Sequence, residues 1–350
     1  MNAKPIPRVS VVIPCYNSAC SVRRAIDSVL IQTCQDFELI VVDDASTDQT
    51  AAILQQSMAA DPRIRIILNE RNSGPGAARN RGINASRGQW IAFLDSDDWY
   101  EPERLEKLLG EAERDGAKLV ADNQYFVQAN AEQPFYLLRP RTTSYSQRLT
   151  PQNLLDGDRW GRMTNLGLLK PILNRKFFEA SDIRFDEDST AGEDFYFLLK
   201  CMERARYVLF VTEPLYNYQI RNGSLSNSPS LDTMISILKM HNRCVEQLQD
   251  RVGTSMLKLM DKRAIDLKNV IRYKRLVEPM KALDIGKCVK QLMTDPGVLP
   301  ITSRLVLLHL VRSLARAPWL WRSFRTDKSW RPVATGNLEQ PNPSGETYTI

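Results

Sequence analysis

Three carboxylates stand directly behind an apolar segment in the stretch WIAFLDSDDWYEPERL, residues 90–105. The segment 90–94 has the composition of a buried strand, and Asp95, Asp97 and Asp98 follow it at once. Carboxylates this close to one another raise each other's pKa, and a helix cap, which needs one acid, does not account for three. A divalent cation shared between the carboxylates would compensate their mutual repulsion. The cluster therefore predicts a cation site at the end of a core strand.

Two further polar clusters follow predicted strands nearer the N-terminus. The β-branched run 9–13 leads into PCYN (14–17), and the apolar run 37–42 leads into DDAS (43–46). Helical patterns separate these strands from one another and from a third strand at 64–68, an order typical of a parallel sheet covered on both faces. Ligands bind such sheets beyond the carboxyl ends of the strands, so all three clusters are expected at one edge.

Helix capping is the alternative role for acids and serines at strand ends. It accounts well for Ser18 and Asp48, each of which stands close to the start of a helical pattern, and it stays open for Asp44. Asp194, in the segment STAGEDFYFLLKCM (189–202), stands at the predicted start of another helix, where the macrodipole favours an anion. From the residues alone, Asp194 is equally a helix-stabilising acid and a group that does chemistry.

The acidic cluster offers only oxygen ligands, which select hard cations such as Mg²⁺ or Mn²⁺ rather than zinc. Mg²⁺ held by one or two carboxylates usually takes its other ligands from phosphates and water, so the D-x-D pattern at 95–97 predicts a phosphate-bearing ligand such as a nucleotide. The front of the chain contains neither the GxxxxGK[ST] loop of Walker-type ATPases nor, after its first strand, the GxGxxG turn of dinucleotide-binding dehydrogenases. Both classes are thereby disfavoured.

The composition of the 350 residues, 43% hydrophobic and 25% charged, is that of an ordinary globular chain. The N-terminus lacks the apolar core of a signal peptide, and no apolar run approaches the roughly 20 residues of a membrane span, so we expect a cytoplasmic protein. Six cysteines without a CxxC pair, together with two histidines, disfavour structural zinc.

Positive charge is concentrated towards the C-terminus. Residues 251–332 contain 18 Lys/Arg against 6 Asp/Glu, a surplus of 12, so the rest of the chain sums to −6 within a net charge of +6. Inside this region, 303–325 carries five arginines and no acid among leucines and tryptophans. Such a stretch fits the headgroup layer of an anionic membrane, and equally a packed helix with a solvated basic face. Nucleic acid is not expected as a partner, because no binding module is recognisable.

Four ordered motifs resemble the nucleotide-binding half of inverting GT-A glycosyltransferases of family 2. They are VSVVIPCYN (9–17), SVLIQTCQDFELIVVDDASTD (28–48), NERNSGPGAARNRGI (69–83) and GQWIAFLDSDDWYEPERLEKLL (88–109). The resemblance is clear over about 1–110 and looser to about 226, and within the family it is nearest to bacterial exopolysaccharide enzymes of the succinoglycan type. It implies an α/β GT-A fold: a Rossmann-like, mostly parallel sheet with helices on both faces, followed by a mainly α-helical C-terminal region.

The resemblance also implies roles for individual residues of the donor site. Pro14 and Tyr16 would border the nucleotide base, with Tyr16 stacked on it, and Asp44 would bind the pyrimidine edge. Arg79 would lie near the base or the diphosphate. Asp95 would reach the ribose or the outer shell of the cation.

The remaining implied roles concern the reaction. Asp97 would coordinate the Mn²⁺ or Mg²⁺ that bridges the diphosphate, while Asp98 stays open between this site and a helix cap. Asp194 matches the catalytic base, which takes the proton of the acceptor hydroxyl. Arg221 would neutralise the departing diphosphate, although a surface arginine beside a glycine turn is also common.

Together these roles imply an inverting, metal-dependent transfer of a hexose from a UDP-linked or similar sugar to a glycan or a polyprenyl-diphosphate-linked oligosaccharide. A lipid-linked acceptor would place the enzyme peripherally at the inner face of the plasma membrane. The expected organisation is a catalytic domain over 1–228, a basic helical region over 229–332 and a disordered tail over 333–350. Two other classes stay open: a non-catalytic sugar-nucleotide or glycan-binding protein on the same scaffold, and a nucleotidyltransferase, which would release pyrophosphate.

Overall fold

The computed structural model of the chain describes residues 5–128, 135–136, 146–157, 166–189, 191–220 and 229–281, with a few positions nearer the C-terminus. The chain divides into two units, Met1–Gln291 and Leu292–Ile350. In the second unit the description covers two short strands, Gln340–Pro341 and Thr347–Tyr348, which pair antiparallel. The basic segment 303–325 and most of the predicted tail lie outside the described residues.

The described strands of the first unit form a single sheet. In chain order they are β1 Val9–Cys15, β2 Phe37–Asp43, β3 Ile64–Leu68, β4 Trp90–Phe93, β5 Trp99–Tyr100, β6 Leu119–Gln128, β7 Phe135–Tyr136, β8 Ser146–Leu149, β9 Ile172–Asn174 and β10 Val208–Ile220. The helices are α1 Val22–Leu30, α2 Thr50–Ala60, α3 Gly74–Ala85, α4 Arg104–Asp115, α5 Pro151–Gly157, α6 Arg175–Ser181, α7 Glu193–Ala205, α8 Leu231–Leu248 and α9 Thr254–Lys281. A single 3₁₀ turn spans Leu166–Leu168.

The sheet has the order β3-β2-β1-β4-β9-β6-β10-β5, with β7 beside β6 and β8 beside β10. Strands β3, β2, β1 and β4 run parallel, as do β6 and β10, whereas β9 is antiparallel to both of its neighbours. The chain moves outward from β1 to β3 and then returns to place β4 on the other side of β1. This reversal leaves a crevice at the carboxyl ends of β1 and β4, where open α/β sheets bind ligands.

Helices cover both faces of the parallel strands, which is why β1, β2 and β4 are buried along their whole length. Successive side chains of a strand point to opposite faces. Accordingly Val11 and Ile13 belong to one hydrophobic core, which includes residues of α1 and α4, and Val12 belongs to a second one, which includes residues of α7. The predicted α/β architecture is confirmed.

Helices α8 and α9 occupy part of the region that was predicted to be helical. Met240 and Met260 from these helices share a core with Phe195 and Leu199 of α7. The helices that follow residue 228 thus pack into the same core as the helices before it. The domain boundary at 228 stays a prediction. Among the described residues, none of the helices combines the length and the apolar character that crossing a membrane requires.

Candidate active site

A cleft of about 280 Å³ opens at the carboxyl ends of β1, β2 and β4. The described residues that line it come from the ends of these strands and from the start of α3. They are Pro14, Cys15, Tyr16, Ser18, Asp44, Asn72, Gly74, Pro75, Ala78, Arg79, Asp95, Ser96 and Asp97. The three clusters that were expected at one edge of the sheet thus meet around one cavity, which Arg79 of α3 also lines. Of the residues predicted for the donor and the cation, Arg221 lies outside the described residues.

Tyr16 forms the rim of the cleft, with 47% of its surface exposed. An aromatic ring this accessible, at the end of a buried strand, is available to stack on a flat ligand. The turn that carries it is held by Asn17, which has a φ of 47° and whose side-chain oxygen accepts the backbone N–H of Thr47 at 2.8 Å. The end of β1 is thereby fixed to the loop that follows β2.

Asp44 is buried, and its carboxylate stabilises the start of α3. It accepts the backbone N–H groups of Ser73 at 3.0 Å and Gly74 at 2.7 Å, together with the side-chain amide of Asn69 at 2.6 Å. The capping role that stayed open for Asp44 is therefore present, although it serves α3 rather than the helix next in sequence. Asp48 stands just before the N-cap residue Gln49 of that helix, and its carboxylate accepts the backbone N–H of Thr50, the first helical residue, at 2.9 Å.

Arg79 lies on α3 and contacts three carboxylates with its buried guanidinium. Its Nη2 lies 2.7 Å from Asp95 Oδ1, and its Nη1 lies 3.1 Å from Glu193 Oε1 and 3.2 Å from Asp194 Oδ1. A planar guanidinium with five donors suits such a multiple contact. Arg79 thus joins the acidic end of β4 to the first turn of α7.

Lys170, which the sequence analysis did not single out, completes this charged network. Only 4% of it is exposed; its Nζ lies 2.8 Å from Asp95 Oδ2 and also contacts Asp194 Oδ2. Burying an ammonium is costly unless carboxylates compensate it. The available sequence signal was an isolated lysine within the apolar run LGLLKPIL (166–173), where a solvated lysine is not expected.

Asp194 stands in the first turn of α7, as predicted, and is linked to Asp95 of the cleft through Arg79 and Lys170. The helix starts after Gly192, whose φ of 83° lies in the left-handed region that favours glycine. The predicted apolar stripe of α7 is buried: Phe195, Leu198, Leu199 and Met202. Packing of that stripe fixes the direction in which the first turn presents its two acids.

The other two acids of the β4 cluster differ in environment. Asp98 is buried and accepts the hydroxyl of Tyr216 at 2.6 Å and the backbone N–H of Gln219 at 2.8 Å. It therefore ties the loop after β4 to β10 and does not cap α4, which corrects the helix-cap alternative. Asp97 is only partly buried and lines the cleft, while its backbone carbonyl accepts Nη2 of Arg24 at 2.7 Å.

The electrostatics of the network depend on the balance between burial and pairing. Burial alone would raise the pKa of Asp95, but the charges of Lys170 and Arg79 outweigh it and hold this pKa well below its usual range. Burial would likewise lower the pKa of Lys170, yet Asp194 and Asp95 hold it above its usual range. Glu193 has a raised pKa, mainly because it is buried. Asp95 and Lys170 are therefore both charged at neutral pH.

The residues present fit a cation that arrives together with a phosphate ligand. Within the described residues, no three Asp, Glu, His or Cys side chains converge closely enough to hold a metal ion by themselves. Asp95 has one oxygen on Arg79 and the other on Lys170. Asp97 also lines the cleft, and it would be the carboxylate that holds a cation there. One hard oxygen ligand agrees with Mg²⁺ or Mn²⁺ completed by phosphate oxygens and water.

Sequence, fold and cleft together define the class of this protein. The profile described as glycosyl transferase family 2 matches residues 10–173. Succinoglycan biosynthesis protein ExoO of Rhizobium meliloti (strain 1021) is 32% identical over 311 residues, covering 89% of this chain and 88% of ExoO. ExoU of the same organism is 29% identical over 231 residues, covering 65% and 66% of the two chains. The chain belongs to glycosyl transferase family 2 and is a glycosyltransferase.

The fold itself is similar to a solved structure. The crystal structure of S. aureus TarS 1-349 in complex with UDP-GlcNAc superposes with a TM-score of 0.62 at 20% identity, covering 97% of this chain and 99% of the TarS chain. At this identity the similarity concerns the fold, and it confirms the predicted GT-A architecture. Arg221 lies outside the described residues, so its predicted role stays a prediction.

Proposed function

We propose that this chain is an inverting glycosyltransferase of exopolysaccharide biosynthesis, which transfers a hexose from a nucleoside diphosphate sugar to a glycan or a lipid-linked oligosaccharide. The similarity to ExoO and ExoU, both named for succinoglycan biosynthesis, supports a role in exopolysaccharide biosynthesis. The observation that carries the proposal is that Arg79 and Lys170 each contact both Asp95, at the cleft, and Asp194, on α7. The carboxylate of Asp194, which can serve as a general base, is thereby held close to Asp95 at the edge of a cleft suited to a nucleotide.

The donor is bound in this proposal by groups of different chemistry along the cleft. The ring of Tyr16 stacks on the base, Pro14 borders it and Asp44 faces its edge. Arg79, which lines the cleft, supplies positive charge near the diphosphate. A divalent cation held by Asp97 and the phosphate oxygens would stabilise the charge that develops on the leaving diphosphate. UDP sugars are the first donors to test, since TarS, of similar fold, was crystallised with UDP-GlcNAc.

Asp194 acts as the general base. A sugar hydroxyl has a pKa far above 7 and needs a base within hydrogen-bond reach as its oxygen attacks. The Asp194 side chain is 24% exposed, and each of its oxygens has two lone pairs, so the contacts with Arg79 and Lys170 leave acceptor capacity towards the acceptor sugar. The bond to the anomeric carbon forms as Asp194 takes the proton, and the nucleoside diphosphate leaves with the electron pair. Attack opposite the leaving group inverts the anomeric centre.

Two parts of the proposal concern segments outside the described residues. Arg221 would add a cation beside the departing diphosphate. The five arginines of 303–325 would hold the enzyme against an anionic membrane surface on the cytoplasmic side, where it would meet a polyprenyl-diphosphate-linked acceptor. We expect a chain ending at residue 300 to sediment less with anionic vesicles than the full chain. Equal sedimentation would count against membrane contact.

The function is tested by offering the full chain a panel of nucleotide sugars with Mn²⁺ and a membrane extract as the acceptor source. We expect one donor to yield nucleoside diphosphate, rather than the pyrophosphate that a nucleotidyltransferase releases. Asp194→Asn should lower the rate by about 10²–10⁴-fold, the usual contribution of a general base, with nucleotide binding retained. Asp97→Asn should weaken Mn²⁺-dependent binding of UDP in calorimetry.

The matched control is Asp27→Asn, which removes an exposed carboxylate from α1. It should behave as the wild type in both assays. Absence of diphosphate release with every donor would contradict the transferase, whereas binding without turnover would favour the non-catalytic alternative. An Asp194→Asn variant as fast as the wild type would remove Asp194 from the reaction.

A further inference from the structure

We propose that Lys170 is a positioning residue for glycosyl transfer, whose ammonium sets the distance between the donor-side carboxylate Asp95 and the base Asp194. This role rests on the proposed function. Lys170 Nζ lies 2.8 Å from Asp95 Oδ2 and contacts Asp194 Oδ2, so a single atom links the end of β4 to the first turn of α7. Because Lys170 lies outside the described lining of the cleft, it acts through these two carboxylates.

The backbone around Lys170 is held from two sides, so the position of the ammonium is built into the fold. The carbonyl oxygen of Lys170 accepts Nη2 of Arg104 at 2.8 Å. Arg104 is fully buried, and its Nη2 and Nε also bind Asp122, at 2.7 Å and 3.1 Å. Two residues earlier, the carbonyl oxygen of Leu168 accepts the side-chain amide of Gln124 at 2.9 Å. The segment that carries Lys170 is thus fixed to α4 and β6.

The charge balance of the site also depends on Lys170. Three carboxylates, Asp95, Glu193 and Asp194, surround two cations, Arg79 and Lys170. With all five ionised the group carries a net charge of −1, and without Lys170 the net charge becomes −2. Uncompensated buried carboxylates repel one another. Loss of Lys170 should therefore let Asp194 move away from Asp95, and misplacing a reacting group by about 1 Å can cost about 100-fold in rate.

The test compares full-length Lys170→Met and Lys170→Arg with Lys107→Met as the matched control. Lys107 also bridges two carboxylates, Glu103 and Glu213, but on α4, away from the cleft. For each variant, kcat and KM for the nucleotide sugar are measured from nucleoside diphosphate release. The Kd for UDP with Mn²⁺ is measured by calorimetry, and the Tm reports folding.

We expect Lys170→Met to lower kcat about 100-fold or more. The Kd for UDP should change no more than about tenfold, because Lys170 lies outside the described lining of the cleft and its charge acts on UDP only at longer range. Lys170→Arg, which keeps the charge that compensates the two carboxylates, should recover part of the lost kcat, and Lys107→Met should match the wild type. Should Lys170→Met unfold, Lys170→Gln carries the same expectation as a polar side chain without the charge.

Several outcomes would overturn the role of Lys170. A kcat of Lys170→Met close to that of the wild type would do so, as would a loss confined to KM and Kd, or a Lys170→Arg variant no faster than Lys170→Met. A wild-type chain that releases no nucleoside diphosphate would contradict the proposed function and this role with it. An active wild type beside an equally active Lys170→Met contradicts the role of Lys170 alone.

Discussion

Two carboxylates and two cations share their contacts at the centre of the site. Asp95 and Asp194 each contact both Arg79 and Lys170. Removing one member of a buried ionic cluster leaves the others uncompensated. At the scale of single residues we therefore expect this network to respond as a unit, so that the effects of paired substitutions within it are not additive.

The stacking proposed for Tyr16 can be tested at the same scale. Tyr16→Ala should weaken UDP binding by about 1–3 kcal/mol, the range for a base stacked on an aromatic side chain, which is roughly five- to 150-fold in Kd. The Tm should hardly change, because 47% of Tyr16 is exposed. Calorimetric titration with UDP and Mn²⁺ measures the effect.

The control for Tyr16 is Ile31→Ala, which truncates another exposed apolar side chain, 62% accessible and outside the lining of the cleft. It should leave the Kd for UDP unchanged. If Tyr16→Ala also leaves the Kd unchanged, Tyr16 does not stack on the base.

At the scale of elements, α3 decides where Arg79 lies. At its start, the carboxylate of Asp44 accepts the backbone N–H groups of Ser73 and Gly74. Further along, the side-chain amide of Asn80 donates to the carbonyl oxygen of Phe185 at 3.0 Å, in the loop before α7. Gly76 allows this close approach, since a Cβ there would lie 2.4 Å from the backbone carbonyl oxygen of Asp186. At Gly76 the backbones of the helix and the loop therefore approach each other directly.

We expect Gly76→Ala to lower the free energy of unfolding by about 1–3 kcal/mol, as overpacking does in a tight core, and to lower kcat because α3 must shift together with Arg79. Chemical denaturation and the diphosphate-release assay measure the two effects. Gly110→Ala in α4 is the matched control. Its added Cβ meets nothing within 4 Å, so alanine should stabilise that helix by about 1 kcal/mol. A Gly76→Ala variant as stable as the wild type would contradict the close packing.

At the scale of the whole molecule, the helices after residue 228 support the helix that carries Asp194. His241 of α8 binds the hydroxyl of Tyr196 through Nδ1 at 3.1 Å and the carbonyl oxygen of Met260 through Nε2 at 3.0 Å. The guanidinium of Arg263, on α9, lies 3.8 Å from the centre of the Phe195 ring. Both contacts reach residues directly after Asp194, so α7 is held on its far side by α8 and α9.

This packing predicts a pH dependence of stability. Burial lowers the pKa of His241 from its ordinary value of 6.5. The unfolded chain therefore binds a proton at a pH where the folded chain does not, so this contribution to stability is present above that value and is lost as the pH falls through the folded pKa. We expect the free energy of unfolding to decrease on acidification from about pH 7.5 to about pH 5.5.

His241→Gln should flatten that slope, as measured by urea denaturation across the same pH range. The chain has one other histidine, His309, and His309→Gln provides the control. It should retain the slope of the wild type. A slope that survives in His241→Gln would contradict this role of His241, and a slope that disappears in His309→Gln would assign the effect to His309 instead.

Much of the fold could be predicted because its signals are local. The runs 9–13, 37–42, 64–68 and 90–94, in which apolar residues predominate, all contribute strands. Of these, β1, β2 and β4 are buried along their whole length, as expected for parallel strands covered on both faces. The parallel order then placed their polar ends together. The role of Asp98 could not be predicted, because its partners Tyr216 and Gln219 come from β10, far along the chain.

By itself the sequence determined the alternation of strands and helices, the family, and the acids at the strand ends. Periodicity and ordered motifs depend only on residues close together in the chain. Only the tertiary structure decided that Asp44 secures α3 and that Lys170 joins Asp95 to Asp194. A buried charge is defined by the partners that compensate it, and these come from strands and helices that meet only when the chain folds.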